Sequence, residues 1–223
     1  MQAGNAHYRT DADLPEILPI FPLSAALLLP GGRMPLNIFE PRYLAMVDHT
    51  MRGCHHIGMI QPDLTGKTLD NDDPALCAVG CMGRITSYSE TGDGRYIVGL
   101  QGVSRFRIVE ELSVKTPFRQ AKVSYFLSDL DEDRADQDVD REALLDAFRA
   151  YLDANDMEAD WDSVCRAENA TLVNALSMMS PYGPAEKQAL LEAPDLKTRA
   201  ATLVAITEMA LARENDDVGI KLQ

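Results

Sequence analysis

Several things are scarce in this sequence, and each shortage removes a class of function. Four cysteines, Cys54, Cys77, Cys81 and Cys165, are too few and too scattered across 223 residues for a disulfide framework. They read as small apolar fillers in a reducing compartment. No apolar run reaches the length that crosses a bilayer, and Met1 to Asp13 is polar, with no basic start followed by an apolar stretch. A cytoplasmic location, with no membrane partner, is the expectation. No serine sits in a G-x-S-x-G elbow, no G-x-x-x-x-G-K-[ST] loop is present to cradle phosphates, and no acid-base pair stands out. The expectation is a chain without catalytic residues, metal or cofactor.

Basic residues are also scarce, 21 against 35 acidic, and the net charge of −14 is unevenly placed. Residues 1 to 126 hold 13 acidic and 12 basic side chains, net −1; residues 127 to 223 hold 22 and 9, net −13. The C-terminal part therefore repels phosphate backbones, while the N-terminal part is electrically open. Between them SDLDEDRADQD places six acids and one arginine, the signature of a solvated boundary.

What is present is enough apolar residue, 46%, to bury a sizeable core. Before the boundary, short apolar runs alternate with turn residues. Ile17 to Pro22, Met34 to Phe39, Ile57 to Ile60, Leu76 to Tyr88, Arg95 to Leu100, Val103 to Leu112 and Phe118 to Phe126 read as strands, with Thr91 to Gly94 as a hairpin loop. In Arg105 to Val109 the alternation places Arg105 and Arg107 on a wet face and Phe106 and Ile108 on a core face. One helix interrupts the strands at Glu40-Pro41, where proline suits a first turn and glutamate suits the helix dipole; Tyr43, Met46, Val47 and Thr50 share its inner face. After the boundary the period becomes helical. One helix carries Leu144, Phe148, Tyr151 and Leu152; a second runs from Val164 to Met179, a short third from Pro184 to Leu191, and a fourth from an Asp195 cap along Leu196, Ala200, Leu203 and Val204. The expected organisation is a disordered tail over 1–13, a β-rich domain over 14–126, an acidic linker over 127–140, a helical part over 141–214 and a tail over 215–223.

Three groups of residues invite a functional reading. Cys54-His55-His56 with Cys77 and Cys81 suggests zinc, but Cys77, Val79 and Cys81 alternate as core-facing strand residues would, and tight C-x-x-C pairs are missing. Arg84, Arg95, Arg105, Arg107, Arg119 and Lys122 cluster in the β region and raise RNA as a rival partner, against which stand the acidic C-terminal part and the lack of a basic-aromatic stripe. The apolar string Ala25 to Pro30, with Met34 and Leu36, is either plain core or a groove for extended apolar polypeptide. Strand addition at a sheet edge would bind such a chain with little sequence preference.

Leu18 to Val47, LPIFPLSAALLLPGGRMPLNIFEPRYLAMV, resembles the opening of the Lon substrate-binding domain family, with Phe39-Glu40-Pro41-Arg42-Tyr43 as its most specific piece. Val79 to Ile108 is similar to the family's VG-x-x-x-RI strand, DGRY hairpin and G-x-x-RFRI strand, and Glu186 to Leu203 to its C-terminal KQ-x-LLE pattern. The resemblance implies an α+β fold: a twisted β pseudo-barrel of PUA-like type with one packed helix, then a small helical bundle. It makes Glu40, Pro41, Arg42, Tyr43, Gly94, Arg95, Arg105 and Phe106 structural motif residues. It also implies a free-standing, non-catalytic module that recognises unfolded or degron-bearing polypeptide or a protein partner, with a role as an adaptor in protein quality control. Leu28, Leu29, Met34, Leu36 and Phe39 are the expected contacts.

Overall fold

In the computed structural model, residues 1–69, 73–131 and 139–220 are described, with side chains as far as 213. The β-rich half builds eight strands: β1 (Gln2–Ala3), β2 (Ala6–His7), β3 (Ile17–Pro22), β4 (Arg33–Ile38), β5 (His56–Ile60), β6 (Val79–Glu90), β7 (Tyr96–Glu111) and β8 (Arg119–Tyr125). Helix α1 (Pro41–Met51) lies between β4 and β5; α2 (Arg141–Ala154), α3 (Trp161–Arg166), α4 (Asn169–Met179), α5 (Pro184–Glu192) and α6 (Leu196–Ile220) follow. The long sheet has the order β4-β7-β6-β5-β3-β8, and β8 returns to pair with β7. Five strands therefore close on one another, with β3 and β5 parallel and the other neighbours antiparallel.

Strand β7 makes this arrangement possible by serving two neighbours along one edge. Its first half, Tyr96 to Gln101, pairs with β4, and its second, Phe106 to Glu111, with β8. The sequence suggests two strands here, broken near Gly102; the structure has one. Gly102 sits where the Leu29 carbonyl lies against the strand, and a Cβ there would overlap that oxygen. Close backbone approach, not a break, is the reason for glycine. Gly102→Ala should lower the unfolding free energy by about 3 kcal/mol, the upper range for overpacking, in a urea titration. A loss below about 1 kcal/mol would mean that the Leu29 segment yields freely.

Leu27, Leu28 and Leu29 are buried in the larger core cluster, which runs from barrel residues such as Val98 and Leu100 to Leu144, Leu172, Leu190 and Leu203 of the helices. A second cluster fills the barrel around Ile20, Met82 and Phe106 and is capped by Ala3 and Tyr8. The N-terminal segment, read from sequence as a disordered tail, is thus a β1–β2 hairpin held by those two buried side chains. Its polar composition concealed two anchors.

Helix α1 buries Tyr43, Met46, Val47 and Thr50, the face that the apolar spacing indicates. Pro41 occupies its first turn. Glu40 makes no side-chain cap; its carboxylate accepts from Arg42 Nε at 3.0 Å, so it serves its neighbour and not the backbone amides. Arg42 also lies 4.5 Å from the Tyr43 ring, which packs on Phe21.

The expected helix from Val164 to Met179 is two helices. The chain is extended at Ala167 and Glu168, and Arg141 donates to the carbonyls of Val164 and Cys165, each at 3.0 Å, satisfying the end of α3. Helix α6 opens as read, with the Asp195 carboxylate accepting from the Thr198 amide at 2.7 Å. It continues to Ile220, through residues assigned from sequence to a tail. In the acidic boundary Leu127–Leu130 forms a short 3-10 turn with Leu130 buried; residues 132–138 lie outside the described residues.

The alternation rule fails at Arg105. This side chain is only 2% exposed, although its neighbour Phe106 is also buried. Its guanidinium forks onto Asp129, Nε to Oδ2 at 2.9 Å and Nη2 to Oδ1 at 2.8 Å, and donates to the carbonyls of Leu191 at 3.1 Å, Ala193, and Pro194 at 3.4 Å. Those carbonyls lie at and just beyond the C-terminus of α5, where a helix carries unsatisfied acceptors and partial negative charge. Arg199 reinforces the junction, donating to the Leu190 carbonyl at 2.9 Å and Asn174 at 3.1 Å. The outer face of β7 is wet at Arg107 and covered by helix at Arg105.

Candidate functional site

The strand that begins the site, β4, has a neighbour on one side only among the described residues. Met34, Leu36 and Ile38 turn toward the core, and Arg33, Pro35 and Asn37 turn outward. The Gly102 amide donates to the Gly32 carbonyl at 2.9 Å, and the register continues as Arg33 opposite Gln101. In an antiparallel ladder bonded and non-bonded pairs alternate, so the main-chain groups of Arg33, Pro35 and Asn37 point away from β7. Pro35 supplies no N–H, which leaves this free edge with donors at Arg33 and Asn37 and a carbonyl alone between them.

Beside this edge the outer face of β4, β7 and β6 carries few large side chains. Gly99 of β7 lies opposite Pro35 on one side and Ser87 on the other. Two depressions of about 550 and 430 Å³ lie over this face and meet at Pro35. The first is lined by Asn37, Ile97 and the hairpin loop from Thr91 to Arg95; the second by Arg33, Gly99, Gln101, Ser87 and Gly4. Together they form a trough along the strands. At one end stands the N-terminal hairpin, fixed by Gly4 N–H to Gln101 Oε1 at 3.2 Å and Gln101 Nε2 to the Gln2 carbonyl at 3.1 Å.

At the other end Gly94 takes a φ of +83°, the left-handed geometry that closes the β6–β7 hairpin. The Thr91 hydroxyl donates to the Asp93 carboxylate, and Arg95 Nε pairs with it at 3.0 Å; in that order they hold the Asp93 carboxyl below its ordinary range. This end is charge-balanced and apolar: Ile97 is 51% exposed, and Phe39, just past β4, is 62% exposed. Arg33, by contrast, is exposed and has no hydrogen bond or ion pair among the described residues.

Of the contacts expected from sequence, only Phe39 is open. Leu28 and Leu29 are core residues, 2% and 0% exposed, while Leu36 and half-buried Met34 belong to the same core and also line the two depressions. Leu28 and Leu29 are buried because β7 lies against the Leu27–Leu29 segment, with Gly102 packed on the Leu29 carbonyl, a tertiary event that local composition does not show. Arg33, Pro35 and Ile97 were missed, although the alternation in Arg33–Ile38 already places the first two outward.

Most of the basic cluster is already engaged within the chain, and Arg107 is exposed. Arg105 is buried, Arg119 is paired with Glu111 at 2.6 Å, Lys122 with Glu16 at 2.5 Å and Arg95 with Asp93, while Arg84 donates to Cys54 and Asn5. Nor do the zinc candidates converge: Cys77 and Cys81 lie in different core clusters, Cys54 is exposed, and His56 is bonded to Tyr8. Among the described residues no three histidine, cysteine or acidic side chains gather as a metal set, and no helix is long and apolar enough to cross a membrane.

The family model described as the ATP-dependent protease La (LON) substrate-binding domain matches residues 17–208. Lon protease 2 of Myxococcus xanthus is 28% identical over 198 residues, 84% of this chain and 23% of that protein. The Lon protease of Parabacteroides distasonis is 30% identical over 202 residues, 86% of this chain and 24% of that protein. This chain thus spans about a quarter of the length of the curated relatives it matches. Among solved structures, a Lon N-terminal domain protein from Xanthomonas campestris superposes with a TM-score of 0.59 at 25% identity, covering 85% of this chain and 97% of that one. The N-terminal domain of the Mycobacterium avium complex Lon protease gives a TM-score of 0.62 at 17% identity, over 86% and 98%, a likeness of fold alone. The α+β architecture and a family-model match running from β3 into α6 agree, and this chain belongs to the ATP-dependent protease La (LON) substrate-binding domain family.

Proposed function

We propose that this chain is a non-catalytic module that binds unfolded or degron-bearing polypeptide in extended form, along the free edge of β4 and the trough beside it. A cytoplasmic role in protein quality control, delivering chains to an ATP-dependent protease, belongs to the same reading. The observation that carries it is a strand edge, unpaired among the described residues, beside an open trough lined by exposed Ile97, with exposed Phe39 just past the strand. An extended chain satisfies the amides of Arg33 and Asn37 while its alternate side chains enter the trough. Main-chain bonding is indifferent to sequence, and apolar contact selects chains that expose what folded proteins hide.

The test is fluorescence anisotropy with a labelled, reduced and carboxymethylated protein that stays unfolded, with its native form as competitor. The expected result is binding in the micromolar range, on the order of −8 kcal/mol, that the native form does not displace. Ile97→Asp should weaken it about tenfold, the loss of one buried aliphatic contact, and Phe39→Asp similarly. Both side chains are exposed, so circular dichroism should show an unchanged fold. Binding that ignores both substitutions would move the site away from β4.

A further inference from the structure

We propose that the trough discriminates among extended chains by charge: it prefers a segment with an acidic residue four positions from an apolar one, the carboxylate pairing with Arg33 and the apolar group resting on Ile97. This rests on the polypeptide-binding reading and adds the chemistry that it selects.

The argument starts from the contrast between the two ends. Around the hairpin loop the only formal charges lining the trough, Asp93 and Arg95, neutralise each other. Around the N-terminal hairpin the polar lining is Thr86, Ser87, Gln101 and Arg33, beside apolar Met34 and Leu100, so Arg33 is the one formal charge there and has no partner among the described residues. A guanidinium beside main-chain donors and neutral polar groups favours an anion and disfavours a cation.

The spacing follows from the register. Arg33 lies opposite Gln101 and Asn37 opposite Ile97, so the unpaired cation and the exposed isoleucine are four residues apart along the strands, roughly 13 Å, and one strand apart across them, about 5 Å. Four is an even number, so the matching side chains of an extended ligand share one face. Pro35 stands between them with no amide to offer, so the ligand bonds at the two positions where its side chains are also read. A single free cation suits one carboxylate and not a polyanion, which the C-terminal part, net −13, also repels.

The probes are two labelled octapeptides, acetylated and amidated: Ser-Asp-Thr-Val-Thr-Leu-Ser-Thr and the same sequence with Lys for Asp. The wild-type chain should bind the acidic peptide about fivefold more tightly, the size of one partly exposed ion pair, and the advantage should shrink as salt rises. Arg33→Ala should bind the two alike, and Arg33→Glu should reverse the order. The carboxymethylated protein is titrated in parallel. If it binds while the two peptides bind equally, or neither binds, or Arg33→Glu keeps the wild-type order, the charge preference is overturned and the polypeptide reading stands. If the carboxymethylated protein does not bind either, both fall. A preference found only with free-acid peptides would assign Arg33 to chain ends and overturn the internal-residue assignment.

Discussion

Arg105→Met is expected to lower the unfolding free energy by about 3–5 kcal/mol, the range for breaking a buried ion pair from one side. Methionine keeps much of the volume and removes the charge, leaving the Asp129 carboxylate, which is 8% exposed, without its counterion. It also strips the donors from the carbonyls of Leu191, Ala193 and Pro194, each a buried or half-buried acceptor that water does not easily reach. Asp129→Leu removes the other partner and strands the guanidinium, so it too should destabilise strongly. The double variant should cost less than the sum of the two, because no unpaired charge remains, but should not reach wild-type stability while the carbonyls stay orphaned. Urea titrations of the four proteins measure this coupling directly. A cost under about 1 kcal/mol for Arg105→Met would show that water or a rearranged Arg199 replaces it.

The second large effect is a loss of stability on mild acidification, traced to His56. This imidazole is 5% exposed, shares a 2.6 Å hydrogen bond between Nε2 and the Tyr8 hydroxyl, and leaves Nδ1 without a partner among the described residues. Burial first, then the charges of Arg84 and His55, push its pKa down to about 4. In the unfolded chain it titrates near 6.5. Between these values the unfolded state holds a proton that the folded state refuses, so stability rises with pH across this window and falls as pH drops from about 6.5 to about 4. Above 6.5 neither state is protonated and the contribution is flat. The full difference is on the order of 3 kcal/mol. Carboxylates begin to titrate in the same range, so the informative quantity is the difference between wild type and His56→Gln. Thermal melts from pH 7 to 4 should show a shallower decline for the variant, and parallel curves would remove His56 as the cause. Protonation would also strain the contact with Tyr8, and the protection factors of amides in the N-terminal hairpin, taken against the intrinsic exchange rate at each pH, should fall with acid more in wild type than in His56→Gln.

These two sites mark where local reading stops. The apolar period of α1, the Asp195 cap of α6, the hairpin at Gly94 and most strand bounds were legible because each depends on residues within a turn or two of one another. Buried charge was not. Arg105 looks like a solvent-facing residue until α5, more than 80 positions later, is laid over it, and Asp129 looks like part of a solvated linker until it meets that arginine. The N-terminal hairpin failed for a similar reason: Ala3 and Tyr8 are anchors only because the barrel mouth offers His56 and a core to cover.

The binding surface divides along the same line. By itself the sequence determined the family, the α+β layout and the absence of nucleotide-loop and nucleophile-elbow patterns, since these rest on contiguous motifs and periodicities. It also held the outward alternation of Arg33, Pro35 and Asn37. Only the tertiary structure decided that Leu28, Leu29 and Leu36 are core and that, among the described residues, β4 has a neighbour on one side alone and Ile97 stands four residues along from a cation without a counterion. Which strand is an edge and which charge is left unpaired depend on partners far apart in the chain, and burial is a property of the whole packing, not of any segment.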